Sequence, residues 1–222
     1  MRDDAAALYR LMSWLSPSFP VGAYAFSHGL EWQIEHEGLT KPESVRDWIA
    51  ELVTQGSGQS DLVLCGAAWR AVARGESAND LSALALAFSG TAERVTETQA
   101  QGTAFVDTVR ATWPDATLET LPDDCAYPVA VGAVAAAHGV PERATLTGFA
   151  HAFVANLVSA AVRLVPLGQT DGQRITAQLE TAVDAAVARA GETALEDLSS
   201  VTLASDIAAM QHETQYTRLF RS

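Results

Sequence analysis

Helical periodicity recurs from one end of this 222-residue chain to the other, and period-two strand patterns do not accumulate anywhere along it. In one clear example, Val45, Trp48, Ile49 and Leu52 fall on a single apolar face at the three-and-four spacing of a helix. Because 48% of the residues are hydrophobic, the chain can also bury a sizeable core. The sequence therefore predicts an all-α, single-domain bundle of roughly ten helices over residues 1–222.

Local signals predict where several of these helices begin and end. Thr40 with Glu43, and Thr170 with Gln173, have the spacing of capping boxes at helix N-termini. The second box opens a predicted helix whose apolar face continues until Gly191. Two further N-caps are predicted at Asn79 and Thr91.

The segment from Ala144 to Val162 contains no charged residue and is long enough to cross a membrane. It nevertheless carries several polar side chains, which are too many for a lipid environment: Thr145, Thr147, His151, Asn156 and Ser159. No belt of aromatic residues flanks the segment. We therefore expect a central helix that is buried on all sides within the protein, and no membrane association.

The balance of charge disfavours one large class of partner. Twenty-seven acidic residues face 14 basic ones, and the resulting charge of -13 has the wrong sign for binding nucleic acid. Cys65 and Cys125 lack the spacing of a CxxC motif, and the N-terminus lacks the basic and apolar regions of a signal peptide. We expect two buried, reduced thiols and a cytoplasmic location.

Side chains that could carry out catalysis or hold a metal ion are scattered along the chain. His36-Glu37 and His212-Glu213 each lack the second His that a zinc protease places four residues after the first. The five His residues and two Cys residues form no cluster with the spacing of zinc ligands. Walker loops and G-x-S-x-G motifs are also absent from the sequence. The sequence therefore predicts no catalytic residue and no fixed metal site.

Two short segments concentrate aromatic and Arg side chains without the periodicity of a core helix. The first spans residues 19–31 and the second spans residues 216–222. Such side chains suit the anchoring of a partner protein. They are equally consistent with loops that pack inside the same chain, and the residues alone leave both interpretations open.

At these segments the sequence resembles UreF, a family of urease accessory proteins. The resemblance rests first on the string LSPSFPVGAYAFSHGLE (residues 15–31) and on the closing string MQHETQYTRLFRS (residues 210–222). It extends over nearly the whole chain. Further matching positions are Glu93-Arg94 with Glu97, Gln101-Gly102, Tyr127-Pro128 and the string PLGQTDGQ (residues 166–173).

The resemblance implies a UreF-like helical fold, a two-fold homodimer and no enzyme activity. It also implies binding to UreD (also called UreH), to the GTPase UreG and to the urease apoprotein. In such an assembly Ni²⁺ is cargo in transit and GTP is bound by UreG. The resemblance implies no cofactor bound by this chain.

Roles for individual residues also follow from the resemblance. In the tail, residues 211–222, the side chains expected to order against UreD/UreH are Gln211, His212, Tyr216, Arg218, Phe220 and Arg221. Dimer contacts or a UreG-facing surface are expected at the helix around Thr147 to Arg163 and at Phe19, Pro20, Tyr24, Ser27, His28, Glu31 and His151. A structural motif is expected at Gln169, Asp171, Gly172 and Gln173. Polar side chains on otherwise apolar helices, such as His151, Asn156 and Gln169, have two interpretations. They line an internal passage for Ni²⁺, or they form hydrogen bonds in the core.

Two alternatives stay open at this point. The first is a metallochaperone that has its own nickel site. The second is a helical hydrolase in which His28 and Glu31, one helical turn apart, act as a base pair.

Overall fold

The computed structural model describes residues 2–200 and 202–221, so Ser222 of the predicted tail lies outside the described residues. The described residues form eleven α-helices and three short 3-10 helices, without a strand, which confirms the all-α prediction. The α-helices are α1 (Arg2–Trp14), α2 (Leu30–Glu37), α3 (Pro42–Gln55), α4 (Ser57–Ala73), α5 (Asn79–Phe88), α6 (Ala92–Thr112), α7 (Tyr127–Ala137), α8 (Glu142–Leu164), α9 (Gln169–Gln178), α10 (Glu180–Glu192) and α11 (Leu203–His212). The 3-10 helices are Ala23–Ala25, Ala116–Thr120 and Leu195–Asp197.

Helix α7 lies at the centre of the bundle, packed mainly against α4 and α6. After Tyr127 its side chains are small and apolar, and those from Pro128 to Ala135 are buried, which lets α4 approach closely. Gly132 marks the closest approach, because a Cβ atom there would overlap the carbonyl oxygen of Cys65 on α4. Cys65 and Cys125 are both free and buried, as predicted, and burial raises the pKa of each thiol.

Helix α8 has the length and composition of a membrane span, but half of its most apolar stretch is buried inside the protein. It packs against α3, α4, α7, α9 and α10, as a core helix does. The prediction that it is buried on all sides is wrong. One face, which includes Thr147, His151 and Ser159, is exposed because polar and small side chains recur there at helical spacing.

The start of α3 differs from the predicted capping box. The helix begins at Pro42, with Lys41 as its N-cap residue, and the Thr40 hydroxyl donates to the Gly38 carbonyl oxygen instead. Proline at the first helical position fixes a helical φ and needs no hydrogen-bond acceptor, so it sets the boundary in place of the Thr40–Glu43 pair.

The second predicted capping box is displaced by two residues. Helix α9 begins at Gln169, and the Asp171 carboxylate accepts a hydrogen bond from the Gly168 N–H at 3.3 Å. The predicted continuous helix is also wrong, because the chain turns at the buried Leu179 and α10 then continues beyond Gly191. Neither Pro nor Gly marks that turn, so the sequence pattern does not reveal it.

The two remaining N-cap predictions have opposite outcomes. Thr91 caps α6, since its hydroxyl oxygen accepts a hydrogen bond from the Arg94 N–H at 3.2 Å. Asn79 does not cap α5. It is the first helical residue, and its N–H donates to the hydroxyl oxygen of Ser77.

Candidate partner-binding site

The C-terminal tail packs against the chain's own N-terminal segment. Glu31, buried in the first turn of α2, accepts hydrogen bonds from the Leu219 N–H at 2.7 Å and the Phe220 N–H at 2.9 Å. The N-terminal end of a helix favours a carboxylate, because the unpaired N–H groups of the first turn carry positive partial charge. One side chain therefore holds two consecutive peptide groups of the tail.

His212, the last residue of α11, lies fully buried between two carboxylates. Its Nε2 atom is 3.0 Å from Glu31, and its Nδ1 atom is 2.9 Å from Glu93 at the start of α6. The Arg218 guanidinium donates to the same Glu93 carboxylate at 2.9 Å. Burial raises the pKa of Glu93 even though His212 and Arg218 face it. These contacts join α2, α6 and α11 to the tail.

The end of the tail is held by apolar and backbone contacts. Phe220 is buried, and the Arg163 guanidinium of α8 lies 4.4 Å from the centre of its ring. The Arg221 N–H donates to the Ala25 carbonyl oxygen at 2.7 Å. Residues 213–221 are therefore packed on the protein, although the composition of this segment also suits a partner-binding tail.

A second polar cluster lies deeper, around Arg94 of α6. Its guanidinium donates to Glu97 at 2.7 Å and to Asp61 of α4 at 2.9 Å, and His28 lies 3.0 Å from Glu97. Burial would raise the pKa of Glu97, but His28 and Arg94 outweigh it and hold that pKa at about 2. For Asp61 burial prevails, and its pKa is raised despite Arg94. Gln101 completes the cluster by donating to Glu97 at 2.9 Å.

Two small cavities, of about 80 Å³ and about 50 Å³, flank this cluster and share His28, Asp61 and Arg94 as wall residues. The Arg94–Asp61 ion pair therefore forms part of the wall of both cavities, so the Asp61 carboxylate there is already paired with a cation. Of the three residues named as candidates for a nickel passage, only Asn156 borders one of these two cavities, and its amide donates to the Phe26 carbonyl oxygen. His151 and Gln169 are exposed on the surface.

The geometry does not support the hydrolase alternative. The two ring nitrogens of His28 face Ser57 and Glu97, and the Glu31 carboxylate faces His212 and the tail. The two residues therefore do not form a base pair. Among residues 2–200 and 202–221, no three His, Cys, Asp or Glu side chains gather as the ligands of a metal ion would.

The structure separates the tail residues named from the sequence into two groups. His212 and Phe220 lie inside the protein, whereas the surface carries Gln211, Tyr216, Arg218 and Arg221. Of the N-terminal residues, the buried ones are Ser27, His28 and Glu31, and those exposed or half-buried are Phe19, Pro20 and Tyr24. In the motif at the start of α9, Gly172 is buried against Val162 of α8, which leaves little room for a larger side chain.

Sequence reasoning gave no roles to Glu93, Arg94 and Glu97, although it noted them as matching positions. Their spacing of one, three and four residues sets them along one side of α6, where all three are buried. Buried charged residues are rare unless they are paired, so three on one helix face are a usable signal. Asp61, the partner of Arg94, and Arg163, the partner of Phe220, come from distant helices and carry no local signal.

Apolar side chains are exposed on two surfaces of the protein. The tail surface comprises one face of α11 and the outer side of the tail, with Leu203, Ile207, Met210, Tyr216 and Leu219. Each of these side chains is at least 45% exposed, and Tyr216 is fully exposed. Leu203, Ile207 and Met210 recur at helical spacing on one face of α11, and exposed apolar side chains grouped in this way favour a site of interaction.

The α1–α8 surface is the second. On α1 the side chains of Leu8, Tyr9 and Met12 are more than half exposed, beside the exposed face of α8 that carries His151. The two helices meet closely, since a Cβ atom on Gly148 of α8 would lie 3.1 Å from the Leu11 side chain of α1.

The buried polar groups of this chain hold its own segments together, and most of its exposed large apolar groups lie on α1, on α11 and on the tail. These features define an all-helical protein with two apolar surfaces exposed to solvent. The UreF family model matches residues 39–180. The chain is 52% identical to the urease accessory protein UreF of Rhodopseudomonas palustris strain BisB5, over 99% of this chain and 93% of that protein.

Similar relatives occur in other bacteria. The chain is 49% identical to urease accessory protein UreF of Bradyrhizobium diazoefficiens and 48% identical to urease accessory protein UreF 1 of Brucella canis, in each case over 99% of this chain. It covers 93% and 96% of those two proteins. The chain therefore belongs to the UreF family of urease accessory proteins.

Proposed function

We propose that this chain acts as a scaffold that joins UreD/UreH and the GTPase UreG on the urease apoprotein during GTP-dependent delivery of nickel. In this proposal it works in the cytoplasm, catalyses no reaction itself and binds no cofactor. The observation that carries the proposal is the tail surface, where apolar side chains are displayed on a tail that is itself anchored to the protein.

UreD/UreH is the proposed partner of the tail surface. Tyr216 and Leu219 expose an aromatic ring and an aliphatic side chain, and Arg221 adds an exposed charged residue that can donate bidentate hydrogen bonds. Aromatic and Arg side chains dominate the binding energy of protein interfaces. Because the segment is already packed on α2 and α6, binding it costs less conformational entropy than ordering a free tail would.

The α1–α8 surface is proposed to bind a second copy of this chain, next to the UreG-facing side. Leu8, Tyr9 and Met12 supply large apolar side chains, and the exposed face of α8 supplies small ones. Large and small side chains facing each other across a two-fold axis can interdigitate. Tyr24, exposed beside α8 through the hydrogen bond from Arg163 to its carbonyl oxygen, belongs to the same side.

Nickel enters this proposal as cargo that passes between partners. The buried carboxylates Asp61 and Glu97 are both paired with Arg94, and Glu97 also contacts His28, so they do not offer a free ligand set to Ni²⁺. Hard and borderline cations are bound by groups that are deprotonated and unpaired. The route of the ion is therefore proposed to use surfaces formed between subunits.

Co-purification tests the proposal. With an affinity tag on this chain, UreD/UreH and UreG are expected to elute together with it and with the urease apoprotein from cells that express all four. The matched control is the same cell extract with a tagged, unrelated helical protein of similar acidity. The scaffold proposal would be contradicted if this chain eluted without UreD/UreH and without UreG although each protein was present at a micromolar concentration.

A further inference from the structure

We propose that Glu31 is a positioning residue that sets the affinity of the tail surface for its partner without touching the partner. This inference rests on the proposed function of the tail surface and adds the internal device that presents it. Glu31 is 6% exposed, so a protein bound outside has no access to its carboxylate. Its effect on binding must act through the tail.

The contacts of Glu31 fix the tail at its centre. One carboxylate oxygen accepts the Leu219 N–H at 2.7 Å, and the other accepts the Phe220 N–H at 2.9 Å and lies 3.0 Å from His212 Nε2. Hydrogen bonds to an ionised acceptor are about twice as strong as neutral ones. Without the Glu31 carboxylate, the Leu219 and Phe220 N–H groups would have to form hydrogen bonds with water instead.

This docking decides which side chains face outward. When both N–H groups point at Glu31, the Phe220 side chain is buried under Arg163 and the Leu219 side chain is 65% exposed. Along the same segment Tyr216 is fully exposed. The docked tail therefore displays its apolar side chains in one fixed arrangement, and Leu203, Ile207 and Met210 are exposed on α11, the helix that leads into the tail.

A close helix contact supports the same docked state. Gly29, directly before α2, has a φ of +74°, and a Cβ atom there would lie 2.7 Å from the Ala209 backbone nitrogen of α11. Helix α11 therefore lies against the residues that start α2 and place Glu31 at its N-terminus. The packing of α11 against α2 therefore holds the tail surface and Glu31 in a fixed relative position.

The consequence for affinity follows from the fraction of molecules that are docked. If only the docked tail binds, the measured Kd equals the intrinsic Kd divided by that fraction. Lowering the fraction from near one to about a tenth raises the Kd about tenfold. A partner that required an undocked tail would show the opposite dependence.

Glu31→Gln tests the inference, with Glu37→Gln as the control because Glu37 is exposed on the same helix and undergoes the same change of charge. The substitution replaces one carboxylate oxygen with an amide NH₂ group, which cannot accept from a backbone N–H. We expect the Kd for UreD/UreH to rise about tenfold or more, and no change for the control.

Amide hydrogen exchange supplies a measurement that a general loss of structure would not reproduce. In Glu31→Gln the amides of Leu219 and Phe220 are expected to exchange about tenfold faster or more, while the amides of α4 and α7 keep their protection. If Glu31→Gln fails to fold, Arg163→Met, which removes the guanidinium over Phe220 from an exposed position, is expected to shift both measurements in the same direction.

Three results would overturn the inference: an unchanged Kd with faster exchange, unchanged exchange at both amides, or tighter binding of UreD/UreH. Failure of the proposed function looks different. In that case a variant with both Tyr216 and Leu219 replaced by Ser would bind UreD/UreH as well as the parent chain does. If the Tyr216 and Leu219 variant loses binding while Glu31→Gln binds normally, the positioning role of Glu31 is overturned and the proposed function of the tail surface stands.

Discussion

Replacing Tyr216 and Leu219 together by Ser is expected to weaken binding of UreD/UreH by about 100-fold or more, because central apolar anchors contribute about 2 kcal/mol or more each. Both side chains are exposed in this chain and make no contribution to its core, Tyr216 fully and Leu219 at 65%. The unfolding temperature is therefore expected to stay within about 2 °C of the parent value. Titration calorimetry and a thermal scan measure the two quantities.

The matched control carries Leu84→Ser and Leu195→Ser, two exposed Leu residues outside the tail surface. This control should bind UreD/UreH with the parent affinity. Deleting residues 211–222 is a less informative experiment, because it also removes His212 and leaves Glu31 and Glu93 buried without that partner. Parent-like binding by the Tyr216 and Leu219 variant would show that the partner uses another surface.

Arg94→Met is expected to lower the free energy of unfolding by about 3–5 kcal/mol at pH 7, because it leaves buried carboxylates without their cation. Arg94 is 8% exposed and donates to both Asp61 and Glu97. Urea unfolding followed by circular dichroism measures the change. The control is Arg143→Met, which breaks an exposed ion pair to Asp184 with an N–O distance of 2.7 Å. This substitution is expected to lower the free energy of unfolding by about 0–1 kcal/mol.

The loss in Arg94→Met is expected to shrink as the pH falls. In the parent chain the pKa of Glu97 is depressed to about 2, so its stabilising contribution is present above the unfolded pKa of about 4.3 and is lost between there and pH 2. In the variant Glu97 keeps His28 at 3.0 Å but loses Arg94, so its pKa rises from the parent value and protonation of the less compensated carboxylate reduces the loss. A difference between the two proteins that stayed constant from pH 7 to pH 4 would contradict this account of the cluster.

The class of fold could be predicted from the sequence because helical periodicity is a local property. The apolar face of α3 and the cap at Thr91 depend on residues within a few positions of each other, and both are present in the structure. Boundaries failed where a stronger local constraint competed, as Pro42 does with Thr40. They also failed where tertiary packing alone sets the turn, as at Leu179.

The site was only partly predictable, for a different reason. The aromatic and Arg residues of the N-terminal segment and the tail were visible in the sequence, and the structure brings these two segments together. The anchor itself joins Glu31 to Leu219 across 188 residues of sequence, and no local pattern encodes that pairing. The tail packs on α2 and α6, as the packed-loop interpretation predicts, while its outer face stays exposed, so partner binding by that face stays a prediction.

The activity of urease in cells from which this chain has been removed tests the central claim most directly. If the chain is an accessory scaffold, such cells make the urease protein at the normal level but show no activity, and supplying the chain again restores it. The variant with Ser at positions 216 and 219 should fail to restore activity, whereas the Leu84 and Leu195 control should succeed. Full urease activity in the absence of the chain would contradict the account.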